Sequence, residues 1–182
     1  LLHPSADQMA ESSSLLSRYG VEPGDPIAGL APGTSRHRNA KTWTDEGFAA
    51  VGRHLTERGM KVVLLGSDIR PGISESCSYL VNLSGATDLL QALAVVARCR
   101  VVVGVDSGLL HLAAAVGTRV IGLYGPSDPT VTGPQGDGHL LMTAGIPCSP
   151  CQNARCSLGR ICMTQLSPDH VIAAVDKVLG AP

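Results

Sequence analysis

Charge is scarce in this 182-residue chain: 14 Lys and Arg stand against 15 Asp and Glu, a formal net charge of −1, and charged residues make up 16% of the whole. So small a net charge exerts no global pull on nucleic acid or anionic lipid, so a phosphate-bearing partner has to be held by a local cluster. Long uncharged apolar runs are missing too. The most apolar region, residues 89–126, is broken by Arg98, Arg100, Asp106 and Arg119 and falls short of the roughly 20 residues a membrane span requires, which reads as a soluble domain. There is no internal repeat, no low-complexity tract, no G-x-G-x-x-G run and no Walker loop, so the two commonest glycine-rich phosphate motifs are excluded. The N-terminus, Leu1-Leu2-His3-Pro4, has neither an initiator Met nor a basic stretch followed by an apolar core. It resembles neither a signal peptide nor a natural start, and the expectation is a fragment of a longer chain.

What is present is apolar residue, 44% of the chain, enough to offset chain entropy in one packed domain. Residues 5–19 carry a helical apolar pattern that ends near Gly20, followed by the turn "VEPGDP". The strand "IAGLAPG" is followed by an amphipathic helix "TWTDEGFAAVGRHLTERG", with Thr44 as N-cap and Gly59 as its stop. "KVVLLG", a looser helix at 72–79, "LVNLSG" and a helix from Thr87 to Arg98 continue the alternation. "VVVGV", a helix from Ser107 to about Val116 and "RVIGLYG" extend it, and a strand at "HLLMT" and a helix from Ser167 to Leu179 close the chain. Continuously apolar strands alternating with helices predict a doubly wound, Rossmann-like parallel sheet with both faces covered.

In such sheets ligands collect at the carboxyl ends of the strands, where helix N-termini present free N–H groups. "VVVGVDSGLLHLAAAVG" places Asp106 at that end, Ser107 at the N-cap and Gly108 as first helical residue, where a missing Cβ admits close approach. An anion there gains the helix dipole and backbone donors, on the order of 1 kcal/mol or more. Asp106 can hold a ligand hydroxyl, and His111, one turn in, can donate to a phosphate or sugar oxygen. Plain helix capping by Asp106 and Ser107 explains the same residues, and both readings stand. A second corner, "PGTSRHRNAKTW", brings Gly33, Thr34, Ser35, Arg36, Arg38 and Lys41 together. Small residues, hydroxyls and cations are a phosphate-binding composition, although a solvated basic loop has the same one. The Gly/Pro-rich residues 125–136 suit either a pocket rim or a rigid connector.

These residues resemble the lipopolysaccharide heptosyltransferases, glycosyltransferase family 9. That family shares D-[ST]-G-x-x-H-x-A-A-A, here Asp106 to Ala115, and G-P-[ST]-D-P-x-x-T-G-P-x-G, here residues 125–136. "PGTSRHRNAKTW" resembles the family's Gly, paired hydroxyls, Lys and Trp, and "CSPC" with the later "CM" its C-terminal cysteine segment. The resemblance runs from about Ile27 to the end. It implies the C-terminal half of a GT-B glycosyltransferase, with residues 1–25 an interdomain helix and linker and 26–182 the nucleotide-sugar donor-binding domain. The acceptor domain, with the family's acidic general base, has no counterpart here, so no catalytic residue is expected in this chain and no activity from it alone.

By residue, the resemblance implies Thr34 and Ser35 near the donor phosphates and Lys41 on a phosphate or sugar oxygen. It places Asp106, Ser107, Gly108 and His111 around the diphosphate-heptose. The implied donor is ADP-heptose, the acceptor the lipopolysaccharide inner core, and the reaction an inverting transfer that requires no cofactor. The implied location is cytoplasmic, peripheral to the inner membrane, with no nucleic-acid partner. The family's ribose-binding acid has no clear match, Asp68 and Glu75 being the candidates. A stand-alone nucleotide-sugar binding module and another GT-B nucleotide-sugar enzyme, such as a sugar epimerase, are the alternatives.

Six cysteines remain. Cys77 and Cys99 fall in predicted helices and read as core thiols. Cys148, Cys151, Cys156 and Cys162 form C-x2-C-x4-C-x5-C, a set that fits a structural zinc ion, an iron–sulfur cluster, two disulfides or reduced thiols. A reducing compartment disfavours the disulfides, and the spacing lacks the paired C-x2-C knuckles of a zinc ribbon.

Overall fold

Six parallel strands form the centre of the molecule: β1 Ile27–Ala31, β2 Lys61–Leu64, β3 Val81–Asn82, β4 Cys99–Val105, β5 Arg119–Tyr124 and β6 Leu140–Thr143. Their order across the sheet is β3-β2-β1-β4-β5-β6, and every neighbouring pair is parallel. The computed structural model describes residues 1–34, 39–67, 72–73, 77 and 79–180. Helices α1 Ala6–Ser17, α3 Leu89–Ala97 and α4 Gly108–Ala115 cover one face, and α2 Asp45–Glu57 and α7 Pro168–Leu179 the other. Two short helices, α5 Pro129–Thr132 and α6 Ile161–Thr164, sit in the long connections. The expected doubly wound, Rossmann-like α/β architecture is present, and among the described residues no helix is long and apolar enough to cross a membrane.

The four central strands are apolar and buried apart from Lys61, Arg100 and Arg119 at their starts, because both faces of the sheet are covered there. Val101, Val103 and Val105 of β4 enter the core shared with Phe48, Val51, Val171 and Val175. Val102 enters the opposite core, against Leu16, Val95 and Leu110. Helix starts follow local chemistry: Thr44 accepts from Gly47 N, Asp88 forms a capping box with Gln91, and Ser167 accepts from His170 N ahead of Pro168.

Two expectations need correction. Cys99 is not helical: α3 ends at Ala97 with Arg98 as C-cap, and Cys99 opens β4 opposite Ile27 without an intervening loop. Cys77 itself is not helical. Both are buried free thiols, as core cysteines should be. Of the looser helix expected at 72–79, Gly72 and Ile73 are helical, and the rest is non-helical or outside the described residues.

The chain reverses direction across the sheet between β1 and β4, so the carboxyl ends of these adjacent strands open a crevice rather than being bridged by a connection. Gly104 makes their closeness possible. A Cβ there would stand 2.6 Å from the Ala31 carbonyl oxygen and 2.8 Å from Leu110 Cδ1, so any side chain would force β1 and α4 apart.

Candidate functional site

The crevice at the β1/β4 switch point holds a cavity of about 400 Å³. Thr34 and Lys41 reach it from the loop after β1, Lys41 on a one-turn 3-10 helix, Asn39–Lys41. Asp106, Ser107, Gly108 and His111 reach it from the end of β4 and the first turn of α4. The corners after β1 and β4, read separately in the sequence, therefore share one cavity, whereas the Gly/Pro-rich residues 125–136 do not line it. Ser35, Arg36, Arg38, Asp68 and Glu75 lie outside the described residues. The sequence reading missed Leu65, Gly66 and Ser67, which line the cavity from the end of β2. Their signal is positional only: once β2 is known to pair with β1, the residues that follow it must border the same crevice.

Asp106 is 5% exposed, and its hydrogen bonds do not cap α4. Its Oδ2 accepts from Lys41 Nζ at 2.5 Å, Ser127 Oγ at 2.5 Å and Thr132 Oγ1 at 3.4 Å. A buried carboxylate needs this much compensation, since an unpaired charge away from water is strongly unfavourable. Ser127 and Thr132, which come from the loop after β5, are the second group that sequence reasoning did not assign. Below them the buried Tyr124 hydroxyl approaches the Thr132 carbonyl at 3.4 Å. Burial pushes its ionisation far up, and the Asp106 charge adds to the effect.

Ser107 occupies the N-cap position of α4 with extended backbone, yet its hydroxyl makes no cap hydrogen bond. Ser107 Oγ is one of two buried side-chain oxygen atoms with no partner among the described residues. Leaving such a group unpaired costs about 1–3 kcal/mol. Beside it, nothing lies within 4 Å of where a Gly108 Cβ would be. The α4 N-terminus therefore presents free backbone donors, an unpaired hydroxyl and open approach space together, which is the composition of an anion site. Plain capping does not account for either Asp106 or Ser107.

The cysteine segment braces this site without entering it. Ser149 Oγ donates to the Gly125 carbonyl at 2.5 Å, and Gln152 N to the Pro126 carbonyl at 2.6 Å, next to Ser127. On the other side Ala40 N donates to the Ala154 carbonyl at 3.3 Å, the Arg160 guanidinium bonds Thr42, and Trp43 Nε1 donates to the Leu166 carbonyl at 2.9 Å. Cys156 Sγ accepts from the Leu158 and Arg160 amides, each at 3.3 Å. Cys148 and Cys151 are exposed, Cys162 is buried, and all six cysteines are free. Burial raises the Cys162 thiol, with the neighbouring Cys151, Cys156 and Cys148 adding to it. Among the described residues no three His, Cys, Asp or Glu side chains are gathered closely enough to hold a metal ion.

Comparison with known proteins places the chain in one family. The family model for glycosyltransferase family 9 (heptosyltransferase) matches residues 3–162. Lipooligosaccharide heptosyltransferase 2 of Haemophilus ducreyi is 35% identical over 145 residues, 73% of this chain and 41% of that protein. Lipopolysaccharide heptosyltransferase 2 of Salmonella typhimurium is 35% identical over 133 residues, 68% of this chain and 38% of its own. The solved structure of E. coli ADP-heptose lps heptosyltransferase II aligns over 98% of this chain and 53% of that one, with a TM-score of 0.76 and 25% identity. The chain thus spans about half the length, or less, of these proteins.

Proposed function

Because the chain belongs to glycosyltransferase family 9, the heptosyltransferases, we propose that it is the donor-binding half of an inverting enzyme that moves heptose from ADP-heptose to the lipopolysaccharide inner core. The observation that carries this reading is the convergence of Lys41, the unpaired Ser107 hydroxyl and the open N-terminus of α4 on one cavity at the switch point. The relatives' names supply the donor and acceptor.

In this reading the diphosphate lies over the start of α4, with Thr34 and Lys41 on its oxygens, and the sugar faces Asp106 and His111. The acceptor oxygen forms a bond to the anomeric carbon as the bond from that carbon to the diphosphate oxygen breaks, inverting the centre. The acceptor's proton passes to a base in the acceptor-binding domain, and the nucleoside diphosphate leaves with the electron pair. This chain's part is to stabilise charge growing on the diphosphate. Preorganised N–H groups, the helix dipole and an ammonium do so without a resident cofactor. The chain alone therefore binds donor but does not turn it over.

Calorimetric titration with ADP-heptose and with UDP- and GDP-sugars tests the reading. ADP-heptose should bind most tightly, with no hydrolysis or transfer by this chain alone. A preference for UDP-sugars would overturn the donor assignment and favour another nucleotide-sugar enzyme.

A further inference from the structure

Ser127 does not line the cavity, yet its hydroxyl touches the cavity's one acidic side chain among the described lining residues. Ser127 is 2% exposed and donates to Asp106 Oδ2, the same oxygen that takes the Lys41 ammonium and the Thr132 hydroxyl. Two short donors sit on that oxygen, while Thr132 shares its one proton with the Asp128 carbonyl at 3.1 Å, and Oδ1 is left with no hydrogen bond among the described residues. Oδ1 is not one of the buried unpaired atoms, which are Ser84 Oγ and Ser107 Oγ, so it is open through the cavity that Asp106 lines.

This divides the cavity chemically. Lys41 and the α4 amides can only donate. A diphosphate offers only acceptors, so it matches these groups and is repelled by Oδ1, whereas a sugar hydroxyl donates and matches Oδ1. The division holds only while the carboxylate is kept from rotating, and Lys41 cannot fix it alone, because an ammonium on a flexible stem follows whichever oxygen is nearer. The donor that fixes it comes from the loop after β5, through a buried hydroxyl anchored by the backbone at Gly125 and Pro126.

We propose that Ser127 is a positioning residue for the sugar half of the donor: it pins Asp106 Oδ2 so that Oδ1 faces the ligand's hydroxyl. Thr132, at 3.4 Å, supports it more weakly. The proposal rests on the donor-binding reading above and adds a role to a residue that touches no ligand.

The test compares Ser127→Ala and Ser127→Thr with the unmodified chain, measuring affinity for ADP-heptose and for ADP, with thermal melts of each protein. Ser127→Ala should weaken ADP-heptose about ten-fold and ADP by less than about two-fold, the scale of one lost hydrogen bond to a charged group. Ser127→Thr, which keeps the hydroxyl, should hold the unmodified ratio of the two affinities. A general loss of structure would lower both affinities in parallel. Equal loss for ADP and ADP-heptose, or no change in either, overturns the proposal while leaving the donor reading intact. If the unmodified chain binds neither compound, the donor reading fails and the proposal with it.

Discussion

Replacing Lys41 with Met should cost stability as well as binding, and the two effects can be separated. The Lys41 and Asp106 side chains are 13% and 6% exposed, with Nζ and Oδ2 2.5 Å apart. Removing one partner of a buried pair typically costs about 3–5 kcal/mol, because it strands a charge. Here water reaches Oδ1 through the cavity and Ser127 still donates to Oδ2, so the expected cost falls at or just below the lower end of that range, about 2–3 kcal/mol. Adding Asp106→Asn to Lys41→Met removes the stranded charge but keeps an acceptor for Ser127. The double variant should therefore recover about 1–2 kcal/mol relative to Lys41→Met alone, a coupling typical of residues in contact. Urea unfolding at neutral pH measures this cycle, and ADP titration of the same proteins measures the loss of ammonium–phosphate contact. A Lys41→Met cost below about 0.5 kcal/mol, the range of ordinary surface changes, would refute the argument. So would strict additivity of the two substitutions.

Three further predictions concern two glycines and acid stability. Gly104→Ala should destabilise the chain by at least about 1–3 kcal/mol, since its methyl meets the Ala31 carbonyl, which cannot swing away. Gly108→Ala should leave stability unchanged or raised, because alanine favours a helix and its methyl meets nothing within 4 Å, yet it should weaken ADP binding; chemical denaturation and calorimetry report both. At the α2/α7 contact, burial alone would raise the Asp176 carboxyl, but hydrogen bonds from His54 and Arg58 outweigh it and hold the group below its ordinary value. A depressed carboxyl stabilises the fold above its unfolded pKa, about 3.9, and loses that contribution as pH falls through the folded value. Asp176→Asn should therefore cost stability at pH 6, and the difference from the unmodified chain should shrink below about pH 4 and vanish in stronger acid, as followed by thermal melts across pH.

The sheet was legible because its strands are buried on both faces, so Val101 to Val105 and Val120 to Tyr124 read as uninterrupted apolar runs. Thr44 and Ser167 were legible as caps because capping is local. What escaped the sequence depends on which strands are neighbours. Asp106 and Ser107 before a helix look like caps, and only the pairing of β4 with β5 brings Ser127 and Thr132, 21 and 26 residues further on, to Asp106. Leu65, Gly66 and Ser67 were missed for the same reason: their place at the cavity follows from the pairing of β1 with β2. Cys99 was misread because α3 passes into β4 without a turn signal. The cysteine segment drew attention for its thiols, whereas the Ser149 hydroxyl, the Cys151 and Gln152 amides, the Ala154 carbonyl and Arg160 do the bracing.

The central claim is that the start of α4 takes the diphosphate of the donor. A structure of the chain in complex with ADP-heptose tests it most directly. The account predicts diphosphate oxygens within hydrogen-bonding distance of Ser107 Oγ and the first amides of α4, with Lys41 beside them and a sugar hydroxyl on Asp106 Oδ1. A nucleotide bound elsewhere on the molecule, with Ser107 Oγ still unpaired, would contradict it.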